Sequence, residues 1–445
     1  MRNPRVLSID LGSAYTKIAI RRQWNGEAEL LRNLPLAADD VDFCIPSVVA
    51  QVGDPNGSRW MTGAAAGALM PGDGVRIYRY WKARLFSADP EAQATRDEMG
   101  QSPARYDGEE YERVAIQFFR GIREMLERSP FAEDVAAAAV RVCVPKIDTR
   151  DMDARVGRLL EAAGLQPAKG HVTVYEPESN ACGIFTRGRN ETWYPPAVSF
   201  TPRSGRSMHL RKMLEPEGLL QALRRMTGTF GVLVIDIGGF TTDFGYLEFD
   251  TSFTSDDWQR PRIVQQSYEL GIRELDQAIY ESLNEPAQQA VRNLPAAEWE
   301  AIKGGIYSGT EVRVEGKDGK PVWIGRGADA EKIREALGVF AERVIGVRDA
   351  FCRAFVGGAP INGQTLTGGG AMIAPVRNAV LHALSSDERI RMYDLLDEQE
   401  PRRTLRGRAG SAGYVDEREV QARARRNLEL VRGGSAMGGS SVFFE

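Results

Sequence analysis

Two aspartates stand where they could manage phosphate chemistry. Asp10 closes the apolar run RVLSID and Asp236 closes GVLVID, and each is followed by a small-residue turn and a second apolar run. An aspartate at a strand end can hold a hydrated magnesium ion through its waters. A glycine-bearing turn exposes successive backbone N–H groups as a nest for an anion. The two stretches also match each other. RVLSIDLGSAYTKIAI begins at Arg5 and GVLVIDIGGFTTDFGYL at Gly231, an offset of 226. At that offset Val6, Leu7, Ile9, Asp10, Gly12 and Thr16 meet Val232, Leu233, Ile235, Asp236, Gly238 and Thr242. One Asp-Leu-Gly turn is commonplace. Two copies half a chain apart predict two similar lobes facing one nucleotide, with chance similarity of two buried hairpins as the competing reading.

The elements around these hairpins alternate between strand and helix, which implies an α/β architecture. Val114, Phe118, Ile122 and Leu126 recur every four residues and predict a helix over 111–128. A strand is expected over 45–50, another in AAVRVCVP, a helix over 151–163 and a strand in HVTVYEP. Later come an amphipathic helix in LGIRELDQAIYESL, a hairpin turning at Asp318-Gly319, a helix over 330–355, and a strand–glycine turn–helix in QTLTGGGAMIAPVRNAVL. At 445 residues, two or three domains are expected. A net charge of -4 gives no whole-chain pull toward nucleic acid or an anionic membrane. No window approaches the roughly 18 apolar residues of a spanning helix, and the amino terminus lacks a signal-peptide pattern. A cytoplasmic protein is the expectation. Cys44, Cys143, Cys182 and Cys352 are far apart and read as small buried hydrophobes. The three histidines, His171, His209 and His382, stand alone and do not suggest a metal or catalytic cluster.

Several segments, in order, resemble the nucleotide-binding domain of seventy-kilodalton heat-shock chaperones, within the actin-like ATPase superfamily. IDLGSAYTKIAI resembles the first phosphate motif, with Gly12, Ser13, Ala14 and Tyr15 at the turn. RYWKARLFSADPEA resembles the segment bearing the catalytic lysine, which assigns that role to Lys82. VCVPKIDTRDMDARVGRLLEAAGL resembles the hinge-proline segment, through Pro145, and VYEPESNACGIF the first connecting motif, through Glu176. VIDIGGFTTDFGYL resembles the second phosphate motif, with Asp236, Gly238, Gly239, Thr241 and Asp243 in register. EWEAIKGGIYSG resembles the adenine-contacting helix, through Glu300 and Lys303, and LTGGGAMIAPV the adenosine motif, through Gly368 and Gly369. Phe240 departs from a family glycine and Met372 from a family arginine that stacks on adenine. GGSAMGGSSV is a weak match to the second connecting motif, and the expectation is a chain without the substrate-binding domain of a full chaperone.

The resemblance implies a two-lobed fold of duplicated ribonuclease H-like domains around a central cleft. Lobe I would span 1–185 with a smaller subdomain near 39–115. Lobe II would span 231–430 with one near 276–360, and 431–445 would return toward the hinge. Between them, 187–229 is a basic insertion with eight Lys or Arg against three Glu, a charge of +5, and an aromatic-proline cluster, Trp193–Pro196. It is expected to dock a protein partner. The cofactors implied are ATP and Mg2+. Asp10 and Asp236 would hold the ion through water, Lys82 would stabilise transition-state charge, and Glu176 or Asp243 would take the proton of the attacking water. Three functional readings stay open: an ATP-hydrolysing conformational switch read by a partner, a filament-forming bacterial actin relative, and a small-molecule kinase.

Overall fold

The computed structural model describes residues 5–22, 28–37, 42–53, 57–70, 72, 74–90, 107–147, 151–186, 229–250, 262–316, 319–384, 391–393, 396 and 417–440. The basic insertion and Asp318 lie outside them. Strand β1 (Arg5–Asp10) turns into β2 (Tyr15–Arg21), which pairs with β3 (Ala28–Leu30). The chain then forms β4 (Ile45–Pro46), β5 (Val49–Val52), β6 (Arg59–Thr62), the short helix α1 (Ala64–Gly67), β7 (Val75–Tyr78) and α2 (Trp81–Phe86). Next come α3 (Gly108–Glu127), α4 (Ala132–Ala136), β8 (Ala138–Val144), α5 (Met152–Ala162), β9 (Thr173–Tyr175) and α6 (Glu176–Thr186). Helix α3 shows why these residues form these elements. Asp107 caps it, accepting from the Glu109 and Glu110 amides at 3.0 and 3.2 Å. Its four-residue apolar stripe is buried completely.

A second set follows: β10 (Thr229–Ile237), β11 (Thr242–Asp250), β12 (Arg262–Tyr268), α7 (Ile272–Ser282), α8 (Glu285–Arg292) and α9 (Ala296–Tyr307). The hairpin β13 (Val312–Glu315) and β14 (Pro321–Ile324), helix α10 (Ala328–Phe351) and β15 (Gly363–Thr367) come next. Helix α11 (Ala374–Leu384), β16 (Arg391–Tyr393) and α12 (Glu417–Gly439) complete the set.

The molecule is a mixed α/β protein in which one sheet pattern occurs twice. The first sheet runs β3-β2-β1-β8-β9 and the second β12-β11-β10-β15-β16. In each, the first three strands pair antiparallel and the last two add in parallel. Each central strand is an apolar run buried on both faces, as a covered sheet requires. The helices that leave the sheets are exchanged. Helix α6 follows the first sheet yet packs on the second, where Gly245 lies against Pro177 and Ala181. Helix α12 follows the second sheet and returns to the first, Gly433 against Leu30 and Gly439 against Ser8 and Cys143. The two helices cross where Gly183 meets Gly434, a contact so close that any Cβ on Gly183 would strike the Gly434 backbone.

Three expectations need correction. The strand expected over 45–50 is two strands in different sheets, because Ser47 leaves the ladder to brace the first turn. Its N–H donates to the Ala14 carbonyl at 2.8 Å and its Oγ to the Gly12 carbonyl at 2.6 Å. The helix expected over 330–355 begins at Ala328, and its α geometry ends at Phe351, with Cys352–Val356 a π-helical turn. Cys352 is partly exposed rather than buried; Cys44 and Cys143 are buried. Among the described residues no helix is long and apolar enough to cross a membrane.

Candidate functional site

The two hairpin turns are built alike and face each other. Gly12 and Gly238 are equivalent at the 226-residue offset, as are Tyr15 and Thr241. In both turns the glycine sits so close to the carbonyl three residues on that a Cβ would press on it: Tyr15 in the first, Thr241 at 2.9 Å in the second. Across the gap, a Cβ on Gly239 would come within 3.0 Å of the Ser13 Cβ. Ser47 holds the first turn from behind. The start of α7 holds the second: the Ile272 and Arg273 amides donate to the Gly238 and Gly239 carbonyls at 3.0 and 2.9 Å. With those carbonyls engaged elsewhere, and the Gly12 and Gly238 amides donating to the Asp10 and Thr241 carbonyls at 3.0 and 2.8 Å, what the turns can offer a ligand is the N–H groups of the residues that follow the glycines. The Ser13 Oγ is buried and has no partner, so it is a donor in want of an acceptor.

Between the turns lies a cavity of about 330 Å³, and of the residues singled out by motif all but the hinge proline Pro145 line it: Asp10, Gly12, Ser13, Ala14, Tyr15, Lys82, Glu176, Asp236, Gly238, Gly239, Thr241, Asp243, Glu300, Lys303, Gly368, Gly369 and Met372. At one end Asp10, Glu176, Asp236 and Asp243 face Lys17 and Lys82. Four carboxylates against two ammonium groups leave two negative charges in a buried space. Lys82 pairs with Glu176, and Lys17 with Asp10 at 3.2 Å. Asp236 accepts from Asn180 Nδ2 at 2.6 Å. Asp243 accepts from Thr241 Oγ1 at 2.9 Å and from Ser267 Oγ. Burial, then the charge of Asp10, pushes Asp236 up to about 7. Burial, then Asp236, brings Asp243 up to about 7 as well. Burial raises Glu176 too, against the pull of Lys82. Carboxylates so placed ionise fully only beside a cation.

That charge deficit is the fit test for magnesium. Among the described residues no three His, Cys, Asp or Glu side chains converge to ligate a metal directly. A hydrated ion held through its waters suits two carboxylates and such a deficit; a bare ion in a protein cage does not.

The other end of the cavity has different chemistry. Lys303 donates to Glu300 at 2.7 Å and to Asp276 at 3.4 Å; burial pulls its pKa down, but Asp276 and Glu300 outweigh it and leave the pKa raised. The Tyr80 hydroxyl donates to the same Asp276 oxygen at 2.9 Å, while the other oxygen, Oδ1, is buried without a partner. Gly368, at φ +83°, lies so close to Asp236 and the Ile237 carbonyl that no side chain fits there. Gly369 faces open space. Met372 and Ile373 give this end an apolar wall.

Lys17, Tyr80 and Asp276 also line the cavity, and no motif assigned them a role. Lys17 had a legible signal, because a four-residue link between paired strands sets it opposite Asp10. The same register sets Asp243 opposite Asp236. Lys17 and Asp243 are therefore the same position in the two copies, one a cation and one an anion. Comparison with protein-family models finds no match, and comparison with curated proteins finds none either.

Proposed function

We propose that this chain is a two-lobed actin-like ATPase that binds Mg-ATP in the cavity between its two sheets and hydrolyses it slowly. The observation that carries the reading is the convergence of two equivalent glycine turns, four carboxylates and two lysines on one cavity. Cavities of about 300–1,000 Å³ take small ligands. In this reading the turn amides, Ser13 and Lys17 bind the phosphates, and Asp10 and Asp236 hold the waters of the magnesium ion. Magnesium, when bound, neutralises charge on the phosphate chain. The Gly368–Gly369 turn, Met372, Glu300 and Lys303 receive the nucleoside. Water attacks the terminal phosphorus and the bond to the bridging oxygen breaks. Glu176 and Asp243 orient the water, one of the two carboxylates takes its proton, and Lys82 stabilises the charge that develops. Products are ADP and phosphate.

Both turns contact the same phosphates, so bound nucleotide draws the lobes together and hydrolysis lets them relax. We assign the chain to the class of conformational switches, its state read by a protein partner, with the basic 187–229 insertion as the docking element. Thermal melting tests the binding step. Nucleotide at 100 times its dissociation constant adds about 2.7 kcal/mol to stability, so Mg-ATP should raise the melting temperature. No change at millimolar Mg-ATP refutes the reading, and phosphate release measured alongside tests the hydrolysis step.

A further inference from the structure

Helix α2 carries Lys82 and is tied at both ends to the part of the chain that follows the second hairpin. Ahead of its first turn, Arg79 Nη2 donates to the Leu294 carbonyl at 3.0 Å and the Tyr80 hydroxyl to Asp276 at 2.9 Å. Past its last turn, Ser87 Oγ donates to the Glu269 carboxylate at 2.8 and 2.9 Å, and the Ala88 amide joins at 2.8 Å. These contacts span 181 to 215 residues of sequence. On the other side, Trp81, Leu85 and Phe86 enter the core of the first sheet, and Trp81 Nε1 donates to the Ser47 carbonyl at 3.0 Å. A helix of six residues has too few internal hydrogen bonds to hold a direction of its own. Tyr80, which sets that direction, sits at φ +50°, in the left-handed region that a bulky residue avoids unless its surroundings hold it there.

We propose that α2 senses closure: Tyr80 and Glu269 are positioning residues that aim Lys82 only while the two halves of the molecule are together. Lys82 then acts in the closed form alone, and opening withdraws it. The proposal rests on the ATPase reading, and it separates turnover from binding. The ties fix the lysine that meets transition-state charge, whereas the turns that bind phosphate are braced through other hydrogen bonds, from the Ser47 N–H and Oγ and from the Ile272 and Arg273 amides.

The test uses the full chain and four proteins: wild type, Tyr80→Phe, Glu269→Ala and Glu269→Gln. Phe keeps the ring and loses the donor. Gln keeps one acceptor oxygen for Ser87 and Ala88. Tyr80→Phe and Glu269→Ala should each lower kcat about 10-fold or more, since small misplacement of a catalytic group costs up to about 100-fold. In Glu269→Ala, whose contacts lie outside the cavity lining, KM and the Mg-ATP melting shift should stay within about 3-fold and a degree or two of wild type, the pattern of an interaction used only in the transition state. Glu269→Gln should recover most of the turnover. Unchanged kcat in Tyr80→Phe and Glu269→Ala overturns the proposal, as does equal loss of kcat and of nucleotide binding in Glu269→Ala. So does a Glu269→Gln variant as slow as Glu269→Ala. A wild type that neither binds nor hydrolyses ATP refutes the underlying reading instead.

Discussion

Replacing Lys82 with methionine should produce a destabilisation that depends on pH, and the structure says why. Lys82 and Glu176 are 3% and 6% exposed, and they form a pair. Removing one partner of a buried pair typically costs ~3–5 kcal/mol, because the other charge is left uncompensated. Glu176 has an escape. Burial already pushes its carboxyl up, Lys82 draws it back, and Asp243 and Asp10 push further. Without Lys82 it takes a proton, at a cost of ~1.4 kcal/mol for each pH unit above its pKa. The sign follows: a carboxyl whose folded pKa lies above its unfolded one keeps protons in the native state that the unfolded chain has released, so stability falls as pH rises. In Lys82→Met that fall extends to higher pH than in wild type. In wild type Glu176 is itself pushed up to about 8, so wild type already loses stability over much of this range. Urea unfolding at pH 6 and pH 8.5 should therefore show the gap to wild type widening by ~1 kcal/mol at most. Glu176→Gln in the same background should cancel the widening. A gap that stays constant across pH, or survives Glu176→Gln, refutes the reasoning.

Two further outcomes are expected. Without nucleotide, wild type should lose stability as pH rises from about 5 through 7, since burial and neighbouring carboxylates bring Asp236 and Asp243 up to about 7. Melting curves across that range should flatten in Asp243→Asn, and a wild type that gains stability over it contradicts the cause given. Gly183→Ala should destabilise by ~1–3 kcal/mol, because its Cβ would lie 2.7 Å from the Gly434 carbonyl carbon and force α6 from α12. Urea unfolding reads this directly, and a loss under ~0.5 kcal/mol would mean that the crossing is loose.

The hairpins were legible because strand patterning, glycine turns and the repeat all describe local structure. Sequence alone gave Lys82 and Glu176 no reason to meet: 94 residues separate them, and each is an ordinary charged residue in its own segment. Their candidacy came through resemblance. Tyr80 and Asp276 had no such help, being joined by tertiary packing across 196 residues. Ser47 misled the reading of 45–50, since an apolar run says nothing of one hydroxyl needed elsewhere. Glu176 is the first residue of α6, ahead of Pro177, and its residue type does not separate that place from a cap just outside a helix. Proline in the first turn of a helix forfeits only an amide that has no partner there, and composition does not separate these cases.

The exchange of sign between Lys17 and Asp243 has a consequence for how a ligand lies. Two identical copies of the hairpin would make walls related by symmetry, and a linear polyanion could then enter in either direction with equal energy. Here one wall sets an ammonium group opposite its strand-end aspartate, and the other sets a second carboxylate there. Repulsive and attractive walls cannot be swapped without swapping the ends of whatever lies between them. This difference between the two copies gives the cavity a polarity, and the polyphosphate chain of the proposed ligand would read it end to end as a direction.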